Sequence, residues 1–339
     1  MKIKQIGIAL TLFFTLTQSN AQSTIEDFVK EGIEYHDKGD YEKAIEIYKK
    51  ALKIDPKSTL VNYEIALSYS SKGDYKEAIK YSDIVLSQNE EYMLHAYITK
   101  GSALDMLGKT KESIKLFEKA IKEIEGHYLL YYNLALNHFK LSDYDKAEVN
   151  VIHAIEANPN HSSSHLMLAN IHNQKGNPVQ TLLASYFFLL LEPDTKRSVE
   201  ACQMLQKNFE GNVSKDDSKP NTINILLSPG TDSQFSAVEL MISMLEASKS
   251  LEENEGKTKD EMFVKNTGSF FNVLGELKKE TNKEIWWTLY TTFFYEIAKS
   301  DHLETYCKYI TQSNNENSQT WLKENKDKLI DFDKWLKNN

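Results

Sequence analysis

The sequence predicts an all-α chain, a solenoid of stacked helix–turn–helix pairs followed by a mostly helical C-terminal domain. Three observations carry this expectation. The tetrapeptide Lys-Gly-Asp-Tyr occurs at Lys38 to Tyr41 and again at Lys72 to Tyr75, 34 residues on, each time just ahead of a helix-like run. Small, aromatic and Pro residues recur around it at the same interval. Composition fits a folded chain: of 339 residues 41% are hydrophobic and 26% charged, and 13 Gly with 6 Pro are too few for a collagen-like or linker-dominated protein.

The chain opens with Lys2 and Lys4, then an apolar run from Ile6 to Leu16, then the small-residue site Ser19-Asn20-Ala21. This pattern predicts a secretory signal over residues 1–21, cleaved near Ala21-Gln22. The run is about 11 residues where a membrane span needs roughly 20, and no later stretch is apolar enough, so no stable membrane insertion is expected after cleavage. No Cys near the site invites lipidation. The expected location is periplasmic or secreted. Loss of Lys2 and Lys4 leaves 38 basic against 49 acidic residues, a net charge of −11. An acidic chain without a Lys/Arg cluster argues against binding to nucleic acid or anionic lipid.

Aligned on the doubled tetrapeptide, a longer pattern begins at Ile25 with Gly32, Gly39, Tyr41, Ala44, Tyr48, Ala51 and Pro56. It returns as Ala66, Gly73, Tyr75 and Ala78, then as Gly101, Gly108, Phe117 and Ala120. A fourth copy keeps Ala135, Tyr144, Ala147, Ala154 and Pro159, and a fifth keeps Ala169, Gly176 and Pro193. Five copies result: 25–58, 59–92, 94–127, 128–161 and 162–195. Residues 196–222 read as a capping helix and linker, and 223–339 as the helical C-terminal domain.

Each place has a physical reason. Gly32, Ala66, Gly101, Ala135 and Ala169 let one helix lie close on the next, because nothing larger than a methyl intervenes. Gly39, Gly73, Gly108 and Gly176 end the first helix of a pair in a left-handed turn. Tyr41, Tyr48, Tyr75 and Phe117 fill the gap between paired helices, and Pro56, Pro159 and Pro193 stop the second helix. Later copies drift, with Glu90 and Glu125 in place of the last Pro and Ser142 in place of the turn Gly.

This pattern resembles the tetratricopeptide repeat over about half the chain. The resemblance implies a right-handed superhelical solenoid whose first helices line an inner surface. That surface would collect Val29, Ile33 and His36, then Tyr63 and Leu67, then Ile98 and Met106, then Tyr132, Leu136 and Phe139, and finally Leu166, Asn170 and Asn173. Apolar and aromatic residues with amides at one end suit an extended peptide or a partner helix. Where some members of the family place cations to grip a C-terminal carboxylate, this chain has Val29 and Ile33.

In the C-terminal third a short extended run is expected at Ile223 to Leu227. Helices should follow at about 231–250, 259–279, 283–299, 303–310 and 317–337, with capping boxes at Thr258/Glu261 and Thr281/Glu284. The segment Glu284 to Ala298 is apolar on several faces. It is either a central buried helix or an exposed aromatic surface.

Catalytic and ligand motifs are weak. Ala103 to Thr110 satisfies the loose form of a phosphate-binding loop, but it falls on a repeat turn and lacks the preceding strand. His161 and His165 are four apart without completing ligands, while His138 and His172 replace packing Tyr. Cys202 and Cys307 form no CxxC pair; they are either one disulfide or two buried thiols. No nucleophile is marked by an activating base. No cofactor or metal is expected. The sequence reads as a non-enzymatic interaction scaffold with a protein or peptide partner; the alternative is an accessory protein or enzyme acting through the C-terminal third.

Overall fold

The structure is a computed structural model that describes residues 25–88, 91–210, 213–215, 223–225, 233–249, 251 and 254–338. The expected signal at 1–21 lies outside these residues. The chain divides into two compact units, one ending at Ser142 and one beginning at Asp143.

The first unit consists of helical hairpins: α1 (residues 25–37) with α2 (Tyr41–Ile54), α3 (Thr59–Lys72) with α4 (Tyr75–Gln88), α5 (Met93–Met106) with α6 (Thr110–Glu123), then α7 (Tyr128–Lys140). The repeated tetrapeptide is the joint. Gly39 takes φ +80°, its N–H donates to the His36 carbonyl at 2.9 Å, and the Asp40 N–H reaches back to the Tyr35 carbonyl at 2.9 Å. That pair of bonds closes the first helix on its loose carbonyls. The Asp40 carboxylate then accepts from the Lys43 N–H at 3.1 Å and caps α2. One residue therefore closes one helix and opens the next. Gly73 and Gly108 repeat the closure, and Ser142 does so without being glycine, at φ +58°.

Between paired helices the aromatic and the small residue are fitted to each other. A β-carbon on Gly32 would lie 2.2 Å from the Tyr48 ring, and one on Gly101 would lie 2.2 Å from the Phe117 ring. Both rings are fully buried, as are Ala44, Ala51, Ala66, Ala78, Ala120 and Ala135. Ser113 adds a polar tie, donating to the Gly101 carbonyl at 2.8 Å while accepting from Asn137 at 2.6 Å.

The second unit holds the rest: α8 (Tyr144–Ala157), α9 (Ser162–Lys175), α10 (Pro178–Leu191) and α11 (Lys196–Glu210). An antiparallel pair of short strands follows, β1 (Val213–Lys215) on β2 (Ile223–Ile225), with Ser214 opposite Asn224. Residues 213–215 were expected as linker; they pair with the expected extended run instead. Then come α12 (Ser236–Ser248), α13 (Lys259–Leu277), a π-helical turn (Trp286–Thr291) running into α14 (Thr292–Lys299), α15 (Leu303–Thr311), α16 (Glu316–Glu324) and α17 (Lys326–Asn338). Ala147, Ala154 and Ala169 are fully buried, and Pro159 and Pro193 directly follow the helix-ending residues Asn158 and Glu192.

Two local expectations fail for clear reasons. The helix expected at 317–337 breaks at Asn325, whose side chain donates to the Trp321 carbonyl at 2.8 Å in a non-helical backbone, so α16 and α17 are separate. The capping box at Thr281/Glu284 does not form. Asn282 instead accepts from the Lys279 N–H at 2.8 Å, and the helix begins in a π turn that fans its aromatics over several directions. The Thr258/Glu261 box is present, with both reciprocal bonds.

Helix α10 is the axis of this unit; every side chain from Val179 to Leu190 is buried. Around Tyr186 pack Phe271 at 5.0 Å, Phe294 at 5.9 Å and Tyr306 at 6.2 Å between ring centroids. The Tyr186 hydroxyl bonds Thr267 at 2.8 Å, and the Tyr306 hydroxyl donates to the Tyr186 carbonyl at 3.1 Å. Among the described residues no helix is long and apolar enough to cross a membrane.

His165 joins the fifth hairpin to the π turn. Its Nε2 lies 2.8 Å from the Pro159 carbonyl, which can only accept, so Nε2 carries the proton and Nδ1 accepts from the Tyr290 hydroxyl at 2.7 Å. Burial pushes this imidazole down to about 4, outweighing the Pro159 bond, which favours the charged ring. The folded protein therefore binds that proton less readily than the unfolded chain. Stability is full above about pH 6.5 and falls by roughly 3 kcal/mol as the pH drops through that value to about 4. An NMR titration of the His165 ring should place its midpoint near 4; a midpoint at an ordinary histidine value would contradict the assignment.

Candidate functional site

In the first unit, the candidate inner-face residues come from the odd-numbered helices. α1 presents Val29, which is buried, and Ile33, which is 38% exposed. α3 presents Tyr63 and Leu67, both half-buried, and α7 presents Tyr132, Leu136 and Phe139, also half-buried. From α5, Ile98 packs against the cluster around Tyr97 and Phe117, whereas Met106 is 60% exposed. Polar neighbours on these helices are tied to one another. His36 meets Ser68 at 2.8 Å, and Lys140 meets Asp105 at 3.1 Å.

A concavity of about 670 Å³ lies where α1 faces the turn Asp55 to Leu60 and the residues Glu91 and Tyr92. Its apolar side is Ile25, Val29, Ile33, Leu60 and Tyr92. Its charged side has Glu26, Glu34, Asp55 and Glu91 against Lys30 and Lys57, so acids outnumber bases. Tyr92 adopts φ +72°, a backbone region that L side chains rarely enter. This places its ring on Tyr63 at 5.3 Å with 17° between planes, and His95 closes the cluster 5.4 Å from Tyr63. Burial raises the phenol pKa of Tyr63, with the Glu64 charge adding to it. Burial also raises Glu64 itself, although the Tyr48 hydroxyl pulls the other way. The arrangement can take up an extended apolar segment carrying positive charge.

In the second unit, Leu166, Asn170 and Asn173 lie on α9 and are half-buried. Asn173 is already engaged by the chain itself, accepting from Asn208 of α11 at 3.4 Å. The aromatic segment after Glu284 is a filled core. Trp286 stacks on Tyr290 at 5.4 Å, Trp287 stacks on Phe235 at 5.0 Å, and the Trp287 indole N–H donates to Gln234 at 2.7 Å. Among the described residues it forms no open cleft of converging carboxylates.

The other singled-out residues have structural partners. Thr110 starts α6 and donates to Asp105 at 2.6 Å. His172 lies 3.3 Å from Glu148, and Asn177 meets its other ring nitrogen at 3.1 Å. Cys202 and Cys307 are free, buried thiols. Among the described residues no group of His, Cys, Asp or Glu is placed to hold a metal ion. Sequence reasoning missed the Tyr63/Tyr92/His95 cluster, because nothing in the residues around Tyr92 announces a left-handed backbone there.

A family model described as a TPR repeat matches residues 32–73, and one described as a tetratricopeptide repeat matches residues 61–91, 94–127 and 128–161. Among solved structures the chain is similar to a thermophilic TPR protein of Thermus thermophilus, at 18% identity and TM-score 0.47, covering 54% of this chain and 99% of that one. It is also similar to pilF of Pseudomonas aeruginosa, at 17% identity and TM-score 0.48, covering 56% and 90%. A third is YrrB, a TPR protein with an unusual peptide-binding site, at 18% identity and TM-score 0.40, covering 56% and 97%. No curated protein matches the sequence.

Proposed function

We propose, from the premise that residues 32–161 of this chain are tetratricopeptide repeats, that the protein is a non-enzymatic scaffold which binds a peptide or partner segment on the inner face of its first unit. One observation carries the reading. The concavity beside α1 keeps Ile33 at 38% exposure and sets a stacked aromatic cluster next to it, an apolar surface left open among the described residues. The acidic rim favours a segment with Lys or Arg flanking its apolar residues. The leader-like residues 1–21 support a cell-envelope location, periplasmic or secreted.

Ile33→Asp and Tyr63→Ala should each weaken partner binding about tenfold or more while leaving the melting temperature within a few degrees, since neither side chain is fully buried. A photocrosslinking residue at position 33 in the living cell should trap a protein that Ile33→Asp no longer retains in affinity capture. Equal recovery of the same proteins by the intact chain and both variants would end the reading. Location is tested by fractionation. Retention of the first 21 residues on a cytoplasmic product would remove the envelope assignment.

A further inference from the structure

The second unit contains a cavity of about 570 Å³ lined by α10, α11, α13, α15, the end of α12 and the start of α16, within the range of small-ligand sites. Its polarity is graded from floor to mouth. The floor is dry: Leu205, Phe209, Met262, Ile310 and both thiols are each at most 9% exposed. Burial pushes the Cys202 thiol up to about 11, and the Cys307 thiol also rises with burial, so both are neutral parts of the wall. The mouth is charged. Asp260 is consumed by Lys308 at 2.8 Å and Asn315 at 2.8 Å, and Glu246 by Lys249 at 2.5 Å. Lys257 bonds the amide oxygen of Asn254 at 2.7 Å and faces Glu261, whose carboxyl is lowered by the Thr258 bonds and, less, by the Lys257 charge, while Lys259 has no acidic partner among the described residues. Among the described residues neither lysine is held in an ion pair at the mouth, in a chain of net charge −9.

Asn266 supplies the second, independent clue. It lines the cavity at 3% exposure, and its amide N–H donates to the Leu245 carbonyl at 3.3 Å, which fixes the orientation of the amide. Among the described residues its carbonyl oxygen is buried without a donor. A buried acceptor left unmet is costly, and a ligand N–H would satisfy it.

We propose that this cavity captures the C-terminal end of a polypeptide, with the last apolar side chains on the floor, a backbone N–H on the Asn266 oxygen, and the terminal carboxylate at Lys257 and Lys259. An ionised fatty acid would meet the floor and the lysines but brings no donor for Asn266. The site lies outside the repeat face proposed above and is independent of it.

The test uses the full chain and a fluorescein-labelled hexapeptide ending in Leu-Phe-Leu with a free carboxylate, read by fluorescence polarisation. Saturable binding is expected, weakened at least tenfold when the carboxylate is amidated or when Lys257→Glu and Lys259→Glu are combined. Ile33→Asp should leave this binding unchanged, which separates the site from the repeat face. Met262→Trp, filling the floor, should abolish it; if that variant unfolds, the surface lysine pair still decides. Absence of saturable binding, equal binding of acid and amide, loss through Ile33→Asp, or displacement by dodecanoate at lower concentration than by unlabelled peptide would each overturn the proposal.

Discussion

Replacing Gly101 with Ala should lower the stability of the first unit by about 1–2 kcal/mol, and replacing it with Leu by at least about 3 kcal/mol. The direction is the reverse of helix propensity, which favours Ala over Gly by about 1 kcal/mol at a mid-helix position. Packing wins because the added β-carbon would sit 2.2 Å from the Phe117 ring. That ring cannot retreat; it is 1% exposed, with Ala120 and Leu130 of the same cluster fully buried. Urea unfolding followed by circular dichroism gives the comparison. A Gly101→Ala protein as stable as the parent would mean that α5 and α6 are not held at this distance in solution.

Tyr186→Ala should be the most damaging single truncation in the second unit, at roughly 4–5 kcal/mol. The ring is fully buried among five other rings, those of Phe263, Phe270, Phe271, Phe294 and Tyr306, so its removal leaves a hole lined by aromatics that are themselves locked by their neighbours. The Thr267 hydroxyl loses one of its partners as well. Tyr186→Phe separates the two effects. It keeps the ring and should cost only about 1–2 kcal/mol, that of the one hydrogen bond. If the two variants proved equally unstable, the hydroxyl bond rather than ring packing would be the dominant contribution.

Much of the hairpin architecture is legible in the sequence because the constraints there are local. Gly39 and Gly73 stand out since a left-handed turn admits few residues, and Gly32 and Gly101 since a facing ring admits none larger. Ser142 breaks that rule and keeps the turn anyway, at φ +58°, because the helix-closing bond to the Phe139 carbonyl is a backbone one. The C-terminal third is less legible. Its helix ends depend on side-chain bonds such as Asn325 to Trp321, and on a π turn whose extra residue leaves no mark in apolar periodicity. The candidate site shows the same division. Ile33 and Tyr63 follow from repeat phase, but the contribution of Tyr92 rests on an unusual backbone angle. The cavity around Asn266 needs six helices that the sequence does not order in space.

The bond from His165 to Tyr290 has an evolutionary and practical consequence. Tandem arrays ordinarily grow and shrink by copying interchangeable cassettes, yet the hairpin at 162–195 is welded to the module downstream and cannot be exchanged without stranding a phenol in the interior. Duplication or grafting of hairpins should be tolerated in the first unit and rejected at the hairpin 162–195.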